Sequence, residues 1–107
     1  FYMNTNNKKT VDGMLIGQYV QKSIQKLYNQ GKIYESDLEN LQKEEYCKIK
    51  FELNYPMFKK SSESRLDHLD NARYYQDEKV PGYWFTNDWY EKHWDDYLKW
   101  ESTKLNS

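Results

Sequence analysis

Residues 82–100, GYWFTNDWYEKHWDDYLKW, decide the fold of this chain, because they place eight aromatic side chains within nineteen positions. The chain as a whole is polar, with 31% charged residues. Each aromatic side chain can bury roughly 150–250 Å² of surface. We therefore expect a core built largely from aromatic rings, with this segment docked on the rest of the chain.

The length of 107 residues fits one small domain, residues 1–107, which can also be a piece of a larger protein. Residues 1–10 are rich in Asn and Lys, and we predict a flexible tail there. A high charged fraction is typical of disorder. The chain's nineteen aromatic residues argue instead for a folded domain.

The net charge of −1 gives no overall attraction to nucleic acid or to a membrane surface. The charges are unevenly distributed, however. Residues 1–60 hold ten lysines and seven acidic residues, whereas residues 61–107 hold six basic and ten acidic residues. This distribution permits a local basic face in the first part of the chain.

Cys47 is the only cysteine, which excludes an internal disulfide and a cysteine-rich zinc site. A reduced, half-buried thiol is typical of a cytoplasmic protein, and we predict that localisation. The sequence has no apolar run of transmembrane length and no signal-peptide pattern, so we expect no membrane contact. It also has no glycine-rich phosphate loop or nucleotide fingerprint, and we expect no cofactor.

A first helix is predicted from Val11 onward, because apolar residues recur at spacings of three and four. Thr10 or Asp12 can cap its start, and Gly31 can end it in a left-handed conformation. The apolar stripe consists of Leu15, Ile16, Tyr19, Val20, Ile24, Leu27 and Tyr28.

Two shorter helices are predicted next. The pattern from Ser36 to Glu39 is a capping box and predicts a helix over residues 36–42. A third helix is expected from Lys43 or Glu44 to about Phe51, because this stretch is rich in helix-forming residues. Apolar and polar residues also alternate here, so a strand over residues 46–55 remains an alternative.

A β-hairpin and a last helix complete the prediction. Residues 73–75 and 83–85 are aromatic runs that flank a charged tip with a Pro-Gly turn. Thr86, Asn87 or Asp88 can cap the last helix, which we expect to end near Thr103. Its apolar face combines two stripes: Trp89, His93, Tyr97 and Trp100, and Tyr90, Trp94 and Leu98. The predicted fold class is α+β and mainly helical, with three N-terminal helices, an aromatic β-hairpin and a C-terminal amphipathic helix.

This order of elements over residues 12–100 resembles a winged helix-turn-helix, in which the third helix enters the major groove of DNA and the hairpin forms a wing. The resemblance implies a small non-catalytic module that contacts double-stranded DNA through its third helix and wing. The nucleic-acid-binding residues that it implies are Lys43, Lys48, Lys50, Asn54, Lys59, Lys60, Arg73 and Lys79. Lysines would mostly meet phosphates, since they pair poorly with defined base edges.

The sequence also allows two interpretations without DNA binding. The lysines can form an ordinary solvated face, and Glu44, Glu45 and Glu52 among them would repel phosphates. Alternatively, the chain is a protein-interaction module of a larger protein or a homodimer. In that case aromatic side chains of the last helix that stay exposed, Tyr90 and Trp100, would contact the partner.

An enzymatic interpretation would use the histidines and nearby acids. Asp67, His68 and Asp70 form one group, and His93 and Asp96 share a helical spacing that could hold a metal ion. A packed His93 and a solvated acidic helix edge explain the second group more simply. We therefore predict no metal site and no catalytic residues, with a metal-dependent hydrolytic fragment as the remaining alternative.

Overall fold

The structure is a computed structural model, and it describes residues 13–106. In chain order the elements are α1 (Ile16–Asn29), α2 (Glu35–Asn40), α3 (Glu44–Phe51), β1 (Phe58–Lys60), β2 (Tyr83–Phe85), a 3-10 helix (Glu91–His93) and α4 (Trp94–Leu105). This architecture confirms the predicted fold class. The tail predicted at residues 1–10 and the caps predicted at Thr10 and Asp12 lie outside the described residues.

Helix α1 begins at Ile16, later than the predicted start, and ends as predicted. The Gln18 side chain accepts a hydrogen bond from the Leu15 backbone N–H at 3.3 Å, which stabilises the first turn. At the other end Gly31 has φ 72°, and the Lys32 N–H donates to the Leu27 carbonyl at 2.8 Å. Glycine adopts this left-handed conformation at little cost, so it terminates the helix.

Helices α2 and α3 follow the prediction with shifted ends. The Asp37 carboxylate, rather than the predicted Ser36 capping box, accepts a hydrogen bond from the Tyr34 N–H at 2.8 Å. Helix α3 ends at Phe51, and Glu52 closes it in a left-handed conformation with φ 61°. The strand alternative for residues 46–55 is therefore wrong, because the backbone there is helical and then turns sharply.

The strand that pairs with β2 differs from the predicted one. Strands β1 and β2 are antiparallel, with Phe58 opposite Phe85 and Lys60 opposite Tyr83, and residues 61–82 connect them. Residues 73–75 were predicted to be the first strand, but they meet the other edge of β2 through the isolated bridge between Tyr74 and Thr86. We call the β1–β2 pair the ribbon.

The predicted caps of the last helix are also wrong. The Thr86 hydroxyl accepts from the Asp88 N–H at 3.2 Å, and Asp88 in turn accepts from the Asn54 N–H at 2.9 Å. These side chains therefore join the end of β2 to the segment after α3. The chain enters the 3-10 helix at Tyr90, whose N–H donates to His93 Nδ1 at 2.8 Å.

The core lies where α4 packs against α1 and α3. Trp94 contacts the ring of Tyr19 at a centroid distance of 5.5 Å, and Trp100 contacts Phe51 at 6.0 Å. The buried apolar side chains are Ile16, Val20, Ile24, Leu27, Leu41, Cys47, Phe51, Leu53, Met57, Phe58, Tyr74, Val80, Phe85, Trp89, Trp94, Tyr97 and Trp100. Aromatic rings thus supply much of the core, as the sequence predicts.

A chain of hydrogen bonds crosses the interface between α1 and α4. The Tyr97 hydroxyl donates to Ser23 Oγ at 2.8 Å, and Ser23 Oγ donates to the Glu101 carboxylate at 2.6 Å. Tyr19 donates to the same carboxylate at 2.7 Å. Burial raises the pKa of Tyr97, so its hydroxyl stays protonated as a donor.

Among residues 13–106, no helix combines the length and the apolar character that crossing a bilayer requires.

Candidate nucleic-acid interface

The lysines predicted on the third helix lie in a mixed charge environment. Lys43 precedes α3, and Lys48 and Lys50 are exposed on it. Glu44 and Glu45 are exposed in the first turn of the same helix. Helix α3 therefore presents alternating charges rather than a uniformly basic surface.

Three of the other predicted residues lie together. Lys59, Lys60 and Arg73 line one pocket of about 220 Å³ beside the ribbon, which we call the ribbon pocket. Its remaining lining residues are Gln42, Tyr55, Pro56, Phe58, Glu63, Leu66, Asp67 and Tyr74. The fold thus brings residues of β1, of the α2–α3 turn and of the connection between the strands to one place.

Arg73 is held in position by two contacts. Its Nε donates to Asp67 Oδ2 at 2.8 Å, and its guanidinium group lies 5.2 Å from the centre of the Tyr55 ring. Asp67 also accepts from the backbone N–H groups of Leu69 and Asn71. The hydrogen bond from the Asn71 N–H, followed by those from Arg73 and from the Leu69 N–H, holds the pKa of Asp67 well below its usual range. Arg73 therefore faces a carboxylate that stays ionised.

Lys59 is positioned by an aromatic ring. Its Nζ lies 5.5 Å from the centre of the Tyr74 ring. The Tyr74 hydroxyl donates to the Pro56 carbonyl at 2.8 Å, which fixes the ring, and burial raises its pKa. The ring attracts the Lys59 ammonium group, and this contact restricts the Lys59 side chain to fewer rotamers before any ligand binds.

A third cation–ring contact lies close by. The Arg65 guanidinium group lies 5.8 Å from the Trp84 ring, and its Nη1 donates to the Tyr74 carbonyl at 3.2 Å. The Trp84 indole donates to the Glu63 carbonyl at 2.7 Å. Arg65 was not predicted as a site residue. The residues around Arg65 are polar or aliphatic with no aromatic neighbour in sequence, so no local signal marked it as a site residue.

Two predicted residues lie away from the ribbon pocket. Asn54 is exposed, and its backbone N–H donates to Asp88. Lys79 lies 5.8 Å from the Tyr75 ring, in the connection rather than on a strand. Neither residue lines the pocket.

The two aromatic residues predicted to stay exposed have different environments. Tyr90 is 63% exposed, whereas Trp100 is only 6% exposed. The expectation that Trp100 stays exposed is therefore wrong, because α3 covers its ring with Phe51. Tyr90 lies at the edge of an aromatic groove of about 580 Å³, which Tyr75, Trp89 and Trp94 also line.

Two of the residues considered for metal or catalytic chemistry, His93 and Asp67, have structural roles in the fold. His93 accepts from the Tyr90 N–H through Nδ1, and its Nε2 lies 3.3 Å from the Glu52 carbonyl oxygen. Asp67 organises its own loop and binds Arg73. In the part of the chain that the structure describes, no three His, Cys, Asp or Glu side chains converge as metal ligands.

Cys47 is fully buried rather than half-buried. Its Sγ donates to the Leu41 carbonyl at 3.3 Å and accepts from the Met57 N–H at 3.2 Å. Burial raises the pKa of this thiol and the Met57 hydrogen bond lowers it by less, so that the pKa is about 11. A thiol with this pKa is protonated at neutral pH and is a poor nucleophile.

Neither a protein-family model, nor a curated protein, nor a solved structure matches this chain.

Proposed function

We propose that the domain binds nucleic acid, mainly through phosphate contacts at the ribbon pocket. The observation that carries this proposal is the meeting of Lys59, Lys60 and Arg73 at one concave surface. Lysine and arginine side chains supply most of the backbone contacts in protein–nucleic acid complexes. The domain would act as an accessory module without catalytic chemistry of its own.

The ribbon side supports this proposal better than α3 does. Glu44 and Glu45 are exposed beside the lysines of α3 and would repel phosphates. In the ribbon pocket the Asp67 carboxylate is already paired with Arg73, Glu63 is the exposed acidic residue, and Lys59 and Arg73 are held against aromatic rings. Lys60 is exposed at the end of β1, and no ion pair is described for it within residues 13–106. A wing-like contact is thus favoured over insertion of α3 into the major groove.

The test is a salt titration of binding to a mixed-sequence DNA duplex with a short single-stranded tail. We expect affinity to fall steeply with salt, because phosphate contacts release condensed counterions. Lys59→Glu with Lys60→Glu should weaken binding and reduce the slope of log K against log salt by roughly 2.

The matched control is Lys48→Glu with Lys50→Glu on α3, which changes the net charge by the same amount. A smaller effect of the control pair supports the ribbon pocket as the main contact. Equal effects would assign the binding to overall charge instead. An absence of DNA binding at low salt would refute the proposed function.

A second candidate function is protein interaction, and the aromatic groove favours it. Exposed Tyr90 lines the groove together with Trp89 and Trp94, and aromatic side chains are enriched at protein interfaces. Association of two copies should then be detectable by sedimentation at micromolar concentration. Tyr90→Ser should abolish it and leave the circular dichroism spectrum intact, whereas Tyr34→Ser, another exposed tyrosine, should not. A monomer at all concentrations would refute association between copies through this groove.

A further inference from the structure

The ribbon pocket has a volume of about 220 Å³ and is lined by apolar, polar and basic residues. We propose that it accepts one unpaired nucleotide of a nucleic-acid strand, with the base inside the pocket and the phosphate near Lys59 and Lys60. This inference rests on the proposed function and specifies the form of nucleic acid that the site prefers.

The volume of the pocket is sufficient for one base. At about 30 Å³ for each water molecule in the liquid, 220 Å³ equals the space of roughly seven small groups. A pyrimidine base has a similar number of non-hydrogen atoms. A base inside a duplex is also covered by its stacked neighbours, and extruding it costs free energy. An unpaired nucleotide avoids this cost.

The lining matches the two chemical parts of a nucleotide. Pro56 and Leu66 offer apolar surface for the faces of a base, whereas Phe58 borders the pocket but is fully buried. Gln42 and Glu63 offer polar groups for its edge, since amide and carboxylate groups pair with exocyclic amino and carbonyl groups of bases. The lysines lie in the same lining and supply positive charge for the phosphate.

The arrangement of Arg73 supports stacking of the base. Its guanidinium group lies over the Tyr55 ring, and Asp67 holds its Nε from the side. Unpaired bases stack on aromatic side chains and on guanidinium planes. The stack of Arg73 and Tyr55 exists before the ligand arrives, which lowers the entropy lost on binding.

The experiment compares three DNA probes by fluorescence anisotropy with the unmodified protein: a blunt duplex, the same duplex with a three-nucleotide tail, and that tail without its bases. We expect the tailed duplex to bind about tenfold more tightly than the blunt one, as expected for the stacking of one base. The abasic tail should lose this advantage, although it keeps the phosphates.

Two variants locate the effect. Tyr55→Ala and Gln42→Ala should each reduce the ratio between the affinity for the tailed duplex and the affinity for the blunt duplex, whatever they change in the affinity for the blunt duplex itself. Tyr28→Ala is the matched control, because Tyr28 is an exposed tyrosine on α1 outside the pocket. Circular dichroism establishes that each variant is folded, and the abasic probe needs no variant.

The outcomes separate this inference from the proposed function. Equal, salt-dependent binding of blunt and tailed duplexes would overturn the inference and leave the proposed function standing. An advantage of the tail that survives loss of its bases would also overturn it, since phosphates alone would explain the preference. Failure of every probe to bind at low salt would overturn both.

Discussion

The hydrogen-bond chain between α1 and α4 predicts a specific pattern of coupled stabilities. Ser23→Ala removes the hydroxyl that accepts from Tyr97 and donates to Glu101. The Tyr97 side chain is fully buried, so its hydroxyl would be left without an acceptor. An unsatisfied buried donor costs about 1–3 kcal/mol, and a hydrogen bond to a charged group contributes about 1.5–3 kcal/mol. These contributions sum to about 2.5–6 kcal/mol, and because Tyr19 still donates to Glu101 we expect Ser23→Ala to lower the free energy of unfolding by an amount in the lower part of this range, about 2.5–4 kcal/mol.

The second variant shows whether the two hydroxyls act together. Tyr97→Phe removes the donor and leaves Ser23 bound to Glu101, so it should cost only about 1 kcal/mol. In the double variant no hydroxyl is orphaned. The cost of Ser23→Ala should therefore be smaller by about 1–2 kcal/mol when Tyr97 is already Phe.

The assay is urea unfolding of the four proteins, followed by tryptophan fluorescence and by circular dichroism. Ser102→Ala, an exposed serine on α4, is the control and should change the free energy of unfolding by less than about 0.5 kcal/mol. If the effects of Ser23→Ala and Tyr97→Phe add within about 0.5 kcal/mol, the hydroxyls are not coupled and the reasoning fails.

Three further predictions concern single buried groups. Trp94→Ala should lower the free energy of unfolding by about 3–5 kcal/mol in the same assay, and a loss below about 1 kcal/mol would contradict its burial. Burial lowers the pKa of His93 from its ordinary 6.5, so unfolding takes up a proton below that value. The contribution of neutral His93 to the free energy of unfolding should therefore be fully present above about pH 6.5 and decrease as the pH falls toward the pKa of His93 in the folded protein. In urea unfolding at a series of pH values, His93→Gln should make the midpoint depend less on pH over this range. The Cys47 thiol should react with a disulfide reagent at pH 8 far more slowly in the native protein than in urea, and equal rates would refute its protection.

Elements that depend on local pattern could be predicted from the sequence. The spacing of apolar residues predicted α1, and Gly31 marked its end because few other residues tolerate positive φ there. The preference for helix over strand up to Phe51 is also confirmed. In both cases the deciding interactions are formed between residues close in sequence.

Features that depend on distant residues could not be predicted. Thr86 and Asp88 are good capping residues, but Asp88 binds the backbone at Asn54, far away in sequence. Likewise, β2 forms its ladder with β1 and not with the nearer aromatic run at residues 73–75. The tertiary fold, rather than distance along the chain, determines which strands pair. The ribbon pocket forms only when β1 and β2 pair. The sequence could therefore identify its basic residues, but not that they lie close together.

The late position of α4 in the chain has a consequence during synthesis. Trp94 and Tyr97 pack against Tyr19 of the first helix, yet about 65 residues separate Asn29 from Trp94. At roughly 5–20 residues per second, a ribosome needs about 3–13 s to deliver them. For that interval the nascent chain carries the apolar side of α1 without these rings, and exposed apolar surface of this kind makes a partly folded chain prone to aggregation.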